Sequence, residues 1–327
     1  MTNQRILLAG VTGTIGRAVA HDLARGGHDV TCLVRPGSQT ADLPAGVTVH
    51  AGEPGTVPGL NFDAVVSCIA SRSGVAEDAW AVDHRANGAL LSAAKASGAG
   101  RFVLVSAICL QKPELAFQHA KLAFEGELRA SGLDWTIVRP TAFFKSLSGQ
   151  VARVQAGKPF LVFGDGAATA CKPISDRDLA AFVGDALFDP AARNTVLPVG
   201  GPGPAITPAD QALLLADLLR RPVPIRRVPP WFMDRIVGAL TLAAKILPSL
   251  GAKAELARIG RYYSRESMLL LDQKTGEYDA QATPEYGADT LREHYAALIS
   301  GEVAHDAGSQ QVFKPAKAGT GGSSHAP

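Results

Sequence analysis

Residues 5–35 read RILLAGVTGTIGRAVAHDLARGGHDVTCLVR, which is the pattern of a strand, a glycine loop, a helix and a second strand. The run Ile6 to Ala9 is short and apolar, as expected of a parallel strand covered on both faces. Gly10, Gly13 and Gly16 follow in GVTGTIG, spaced as Gly-x-x-Gly-x-x-Gly. The first lets the chain turn sharply, the second lets backbone approach a pyrophosphate, and the third lets the helix sit close on the sheet. A helix from Arg17 to Arg25 then turns its N-terminal N–H groups and partial positive charge toward the phosphates. Thr12, Thr14 and Ile15, lying between the glycines, join them in the expected cofactor-binding set.

The second strand, Asp29 to Val34, selects the cofactor. An NAD site usually carries Asp or Glu at this point to hold the ribose 2′-hydroxyl. Here the strand delivers Arg35, followed by Gly37 and Ser38. A guanidinium suits a 2′-phosphate in both charge and fork geometry, so the expected cofactor is NADPH.

Further along, short apolar runs alternate with helical stretches. Val47 to His50, Phe62 to Ser67, Arg101 to Ser106 and Trp135 to Arg139 read as strands. Glu77 to Ser97 and Lys112 to Ser131 read as helices between them. This alternation predicts an α/β fold, a Rossmann-type doubly wound parallel sheet, with a smaller and mainly helical C-terminal substrate-binding region. The expected domains are an NADPH-binding core over 1–145 and a mixed substrate region over 146–300, part of which returns to the core sheet. In the second half, Phe160 to Phe163, Thr169 to Ile174 and Thr195 to Val199 read as strands. Ser175 and Thr207 each cap a following helix, and Pro222 to Tyr263 reads as a mostly apolar helical region. The polar Gly/Ser/Ala/Lys tail, 301–327, is expected to be disordered.

Composition narrows the function. With 46% hydrophobic and 19% charged residues in 327, the body can bury a substantial core. A net charge of +2, with no basic stripe carrying interleaved aromatics, argues against nucleic-acid binding. Cys32, Cys68, Cys109 and Cys171 lie far apart, and the histidines show no ligand spacing, so no protein-held metal is expected. The N-terminus runs straight into the first strand, and the most apolar late segment, Ile236 to Leu250, is broken by Lys245 and Pro248. No signal peptide or integral membrane span is therefore expected, and the expected location is cytoplasmic. Trp231 to Leu250 has near-helical apolar spacing; core or lid packing is the plainer reading and peripheral membrane contact the alternative.

In a doubly wound sheet, ligands bind beyond the C-terminal strand ends. Those ends carry the glycine loop, Arg35, Ser71, Ser106 to Gln111 and Arg139 to Lys145, and the helix bearing Lys121 stands beside them. In this set the chain resembles the extended, atypical branch of the short-chain dehydrogenase/reductase superfamily. That superfamily places a Ser after strand five and Tyr-x-x-x-Lys on the next helix. Ser106 and Lys121 match, but FQHAK puts Phe117 at the tyrosine position. Phenylalanine cannot protonate the alkoxide formed in carbonyl reduction. What remains is reduction of a conjugated C=C bond, or cofactor binding without catalysis.

The runs SAICLQKPELAFQHAKLAFEGEL, IVRPTAFFKSLSGQV, PFLVFGDGAATACKPISDRDLAAF and IGRYYSRESMLLLD resemble the NADPH-dependent 8-vinyl reductases of divinyl chlorophyllide or protochlorophyllide. The likeness covers roughly Arg5 to Ile299. It implies reduction of the 8-vinyl group to ethyl in (bacterio)chlorophyll biosynthesis, with any Mg²⁺ arriving inside the substrate. It also implies that Lys121 holds the nicotinamide ribose and helps to relay a proton, and that Ser106 is a second catalytic candidate. Phe117, Phe143 and Phe144 are candidates to lie against the flat tetrapyrrole, and Lys145 or Lys172 to pair with its propionate. Two rivals stay open: a catalytically silent NADPH-binding regulator or assembly factor, and a reductase of plant-type phenolics.

Overall fold

β1 (Arg5–Ala9), β4 (Ala64–Ser67) and β5 (Arg101–Val105) are buried along almost their whole lengths, which only a sheet covered on both faces allows. In the computed structural model, which describes residues 3–57 and 61–303, they form the middle of that sheet. β2 (Asp29–Val34) and β3 (Thr48–Ala51) extend it on one side, and β6 (Asp134–Pro140) on the other. β7 (Phe160–Phe163) leaves the sheet, and β8 (Thr195–Val199) closes it as a seventh strand. The order is β3-β2-β1-β4-β5-β6-β8, with every pairing parallel. The winding reverses between β1 and β4, and the crevice at such a reversal is where doubly wound sheets bind ligands.

Helices cover both faces. α1 (Thr14–Arg25) lies on one face with a later helix, α7 (Asp176–Phe188), and their Val19, Leu23, Val183 and Leu187 share a core with Ile6 and Val30. On the other face a helix runs as α2 (Ala76–Ala79), a π-helical stretch Trp80–Ala86, and α3 (Asn87–Ala96). It packs beside α4 (Ala116–Arg129) over Leu7, Phe102 and Ile137. α4 starts at Ala116 rather than Lys112, because Pro113 keeps the residue before it out of the helical region and Leu115, the N-cap, is extended. α1 starts at Thr14, three residues earlier than expected, with Gly13 as its N-cap.

The remainder forms a cap on the C-terminal edge of the sheet. It contains α5 (Phe144–Leu147), α6 (Val151–Gln155), α8 (Pro208–Leu218), α9 (Pro230–Ile246), α10 (Gly251–Tyr263) and α11 (Leu291–Ser300). β9 (Ile225–Val228) pairs in parallel with β7, and β10 (Leu270–Leu271) pairs with β11 (Tyr278–Asp279). Ser175 and Thr207 cap α7 and α8, as the sequence predicts, by accepting from the Asp178 and Asp210 N–H groups. The expected strand Thr169 to Ile174 is instead an extended crossing. Its Cys171 bridges to Ile206 and to Met268, which lie on different segments, so no ladder propagates. Among the described residues no helix is long and apolar enough to cross a membrane. The tail expected to be disordered lies, from residue 304 onward, outside the described residues.

Candidate active site

The glycine loop closes on the β1–β4 crevice. Gly10 has φ +87°, and a Cβ there would stand 2.5 Å from the Cys68 carbonyl carbon at the end of β4. A Cβ on Gly16 would overlap the Gly10 carbonyl. Both positions therefore require glycine, and together they bring α1 end-on to the crevice. Gly13 supplies no capping side chain, so the first N–H groups of α1 remain directed at a ligand. Lys145 Nζ donates to Thr14 Oγ1 at 3.1 Å. The sequence reading gave this lysine to the substrate carboxylate, but the fold places it at the mouth of the phosphate loop.

A groove of about 690 Å³ continues from the loop past Thr12, Arg35, Gly37 and Ser38. Arg72 lines the same groove from the segment after β4. Arg17 lines it too, paired with Asp42 at 2.7 Å, so Arg72 joins Arg35 as a second arginine without a close carboxylate partner among the described residues, where a single one was expected. The sequence offered no local sign of the second, because its place depends on β1 and β4 being neighbours.

Deeper in the crevice, Lys121 Nζ pairs with Asp83 at 2.9 Å, with the lysine side chain 10% and the aspartate 0% exposed. Ser71 gives its backbone N–H, at 3.2 Å, and its hydroxyl to the same carboxylate. Asn87 donates to the Asp83 carbonyl at 3.1 Å and accepts from Ser67 at the end of β4. Asp83 turns inward from the π-helical stretch, a distortion that often marks functional positions, and Asn87 from the first residue of α3 that follows it. Sequence reasoning missed Asp83, whose only local signal is its four-residue spacing from Asn87. Beside this network the Cys68 thiol is pushed up to about 12 by burial, with the Lys121 charge acting in the opposite direction.

The other candidates divide clearly. Ser106 Oγ donates to Glu125 at 2.7 Å, and Arg139 binds the same carboxylate. That commits the serine to a buried clamp between β5, β6 and α4. Phe144 is 3% exposed and packs in the cap core with Phe160 and Tyr295, so it offers no face to a tetrapyrrole. Phe143 packs partly against the core beside α1. Lys172 is buried against Glu285, which occupies the charge expected for a propionate. Phe117 is half-buried, and packs with Cys109, Leu115 and, from α10, Tyr262 and Ile259. The cap thus closes over α4 at the very place where the superfamily tyrosine is absent.

A family model described as NAD(P)H-binding matches residues 10–190. A divinyl chlorophyllide a 8-vinyl-reductase of Zea mays is 45% identical across 94% of this chain and 82% of its own length. A protein of the same name from Oryza sativa is 44% identical with the same coverage. Both are named as chloroplastic, as are two further plant relatives, which corrects the expectation of a cytoplasmic location. Among solved structures, the NADPH complex of an Escherichia coli quinone oxidoreductase matches with a TM-score of 0.64 at 18% identity. The match covers 90% of this chain and 99% of that one, a likeness of fold.

Proposed function

The chain belongs to the divinyl chlorophyllide a 8-vinyl-reductase family, and we infer that it reduces the 8-vinyl group of a divinyl (proto)chlorophyllide a to ethyl with NADPH. The structural observation that carries this reading is an intact cofactor lysine, Lys121, one helical turn after a phenylalanine that cannot act as an acid. The glycine cradle fits a dinucleotide, since Gly10 and Gly16 leave room that any Cβ would fill. On this reading the α1 N-terminus and Lys145 take the pyrophosphate, Arg35, Ser38 and Arg72 take the 2′-phosphate, and Lys121 takes the nicotinamide ribose hydroxyls.

Bound there, NADPH supplies a hydride to the vinyl group. Asp83 and Ser71 hold Lys121 in one orientation, so the ribose contact needs little reorganisation. A vinyl group conjugated to a macrocycle passes the added charge into the ring, which explains how the site works without an oxyanion donor at position 117. Residues 1–145 hold the cofactor, and residues 146–300 shape the substrate side, with Phe117 and the cap helix α10 against the macrocycle. Anaerobic incubation with divinyl chlorophyllide a and NADPH, without flavin, tests the reaction. The expected product has gained two hydrogens and shows a blue-shifted Soret band. Tight NADPH binding with no turnover of either the chlorophyllide or the protochlorophyllide would instead favour the silent cofactor-binding reading.

The cap also supports peripheral contact with an anionic membrane. Trp231, Leu242 and Ile246 lie on one face of α9 and are 54%, 64% and 79% exposed, and Leu247 follows at 57%. Arg235 stacks on Trp231 at 4.9 Å. Between Arg220 and Arg265 the chain has ten basic residues against two acids, although its net charge is only +2. An apolar face within a basic stretch of chain suits anionic headgroups, and like charge opposes pairing of this face with a second copy. Co-sedimentation with phosphatidylglycerol vesicles, lost in Trp231→Ser/Ile246→Ser and absent with phosphatidylcholine, is the expected result. Equal recovery with both lipids would remove the proposal.

A further inference from the structure

The reduction proposed above consumes a hydride and a proton, and α4 has no phenol to give the proton. Five tyrosines occur in the chain, all in its last third. The hydroxyls of four meet oxygen acceptors. Tyr262 reaches the Cys109 and Lys112 carbonyls, each at 2.9 Å, and Tyr278 reaches Glu266 at 2.6 Å. Tyr286 reaches Asp185, and Tyr295 the Leu147 carbonyl at 2.9 Å. Among the described residues, Tyr263 alone has only a thiol: its hydroxyl donates to Cys109 Sγ at 3.7 Å. Sulfur is a weak acceptor, so this proton is the least committed of the five.

Its position matters as much as its freedom. Cys109 lies just beyond the end of β5, shares a cluster with Phe117, and feels the charge of Lys121. Tyr263 stands edge-on to Tyr262, with ring centroids 5.4 Å apart, and is still 37% exposed. Cap helix α10 therefore sets a partly exposed phenol on Cys109, in the cluster that holds the residue that replaced the superfamily tyrosine. The surroundings of Tyr263, burial first among them, raise its pKa well above the usual phenol value, so it stays protonated across the neutral range.

We propose that Tyr263 is the catalytic acid of this chain, supplying from α10 the proton that Phe117 cannot supply from α4. This rests on the vinyl-reductase reading. Hydride adds to the terminal vinyl carbon, and the electron pair is left on the carbon attached to the ring and shared with the macrocycle. The O–H bond of Tyr263 breaks, its proton joins that inner carbon to complete the ethyl group, and the phenolate is reprotonated by water once product leaves.

The test compares wild type, Tyr263→Phe and Tyr262→Phe with divinyl chlorophyllide a. Turnover by the wild type is the control for the reaction itself, so its absence would count against the vinyl-reductase reading. Given turnover, Tyr263→Phe is expected to lose about 100-fold in kcat with NADPH affinity unchanged. The wild-type kcat should stay flat from pH 6 to 9, whereas that of the variant should fall as the pH rises, because solvent must then provide the acid. Tyr262→Phe should lower thermal stability and keep both kcat and the flat profile. Wild-type kcat in Tyr263→Phe, or a reduced kcat with an unchanged pH profile, would overturn the assignment.

Discussion

Lys121 and Glu125 stand one turn apart on α4, and each is buried in an ion pair with another element, yet the two pairs have different work. Lys121 meets Asp83 at 2.9 Å, with Ser71 and the end of β4 beside it, in the crevice where the glycine loop closes. Glu125 is 1% exposed; it meets Arg139 of β6, accepts from Ser106, and has Arg129 at 3.5 Å. Its four oxygen lone-pair sites are used within the protein. On the proposed function the first pair holds a cation ready for the cofactor ribose, whereas the second ties a helix to two strands. Burial and charge are the same in both, so neither identifies the functional pair; the position on the sheet edge does.

Removing each pair whole separates the two roles. A single loss such as Glu125→Ala leaves Arg139 uncompensated and should cost about 3–5 kcal/mol, read by urea unfolding. The double variants Glu125→Gln/Arg139→Met and Lys121→Met/Asp83→Asn leave no lone buried charge, so both should recover most of that stability. Only the second should lose function, with NADPH affinity and kcat/KM down about 10- to 100-fold, the worth of one or two charge-assisted hydrogen bonds. Equal loss of activity in both doubles would erase the distinction between clamp and site.

A milder effect is expected at the groove, where the charges are exposed. Arg35→Asp should weaken NADPH roughly tenfold and shift preference toward NADH, since the 2′-phosphate would then face a like charge. Arg72 lines the same groove, so the single change should leave a residual NADPH preference that Arg35→Asp/Arg72→Ala removes. Competitive titration with both nucleotides measures this, and an unaltered preference in the double variant would detach the groove from the phosphate.

What was legible in the sequence was local. Gly10, Gly13 and Gly16, the flanking strands and Arg35 lie within one 31-residue run, where spacing is itself geometry. The caps at Ser175 and Thr207 are local in the same way. Asp83 was hidden because the π-helical stretch that turns it inward follows no simple periodicity. Arg72 and Tyr263 reach the site only through strand order and the docking of α10, which put residues far apart in the chain side by side. Phe144 shows the converse error. It follows β6 at the ligand edge, but the start of α5 sends it into the cap core. A place at the edge does not fix the direction of a side chain.

The smallest effect is expected where a half-buried group has no opposite charge in contact. His294, on α11, lies against the Phe144 ring with centroids 5.4 Å apart and has Ser148 Oγ at 3.0 Å. Burial lowers its pKa below the usual 6.5, and the charge of Asp176 only partly opposes this. The unfolded chain, titrating near 6.5, therefore binds the proton more readily than the folded one. The contribution of neutral His294 to stability is complete above that value and is lost as the pH falls from 6.5 through the lower folded pKa. Unlike the α4 pairs, whose charges compensate each other, this site should make the cap acid-sensitive. Thermal melting at pH 7 and pH 5 should show a drop that His294→Gln reduces, while Glu125→Gln/Arg139→Met leaves it in place. If the two variants respond alike, the acid sensitivity belongs to other groups, and the contrast between paired and unpaired burial does not extend to the cap.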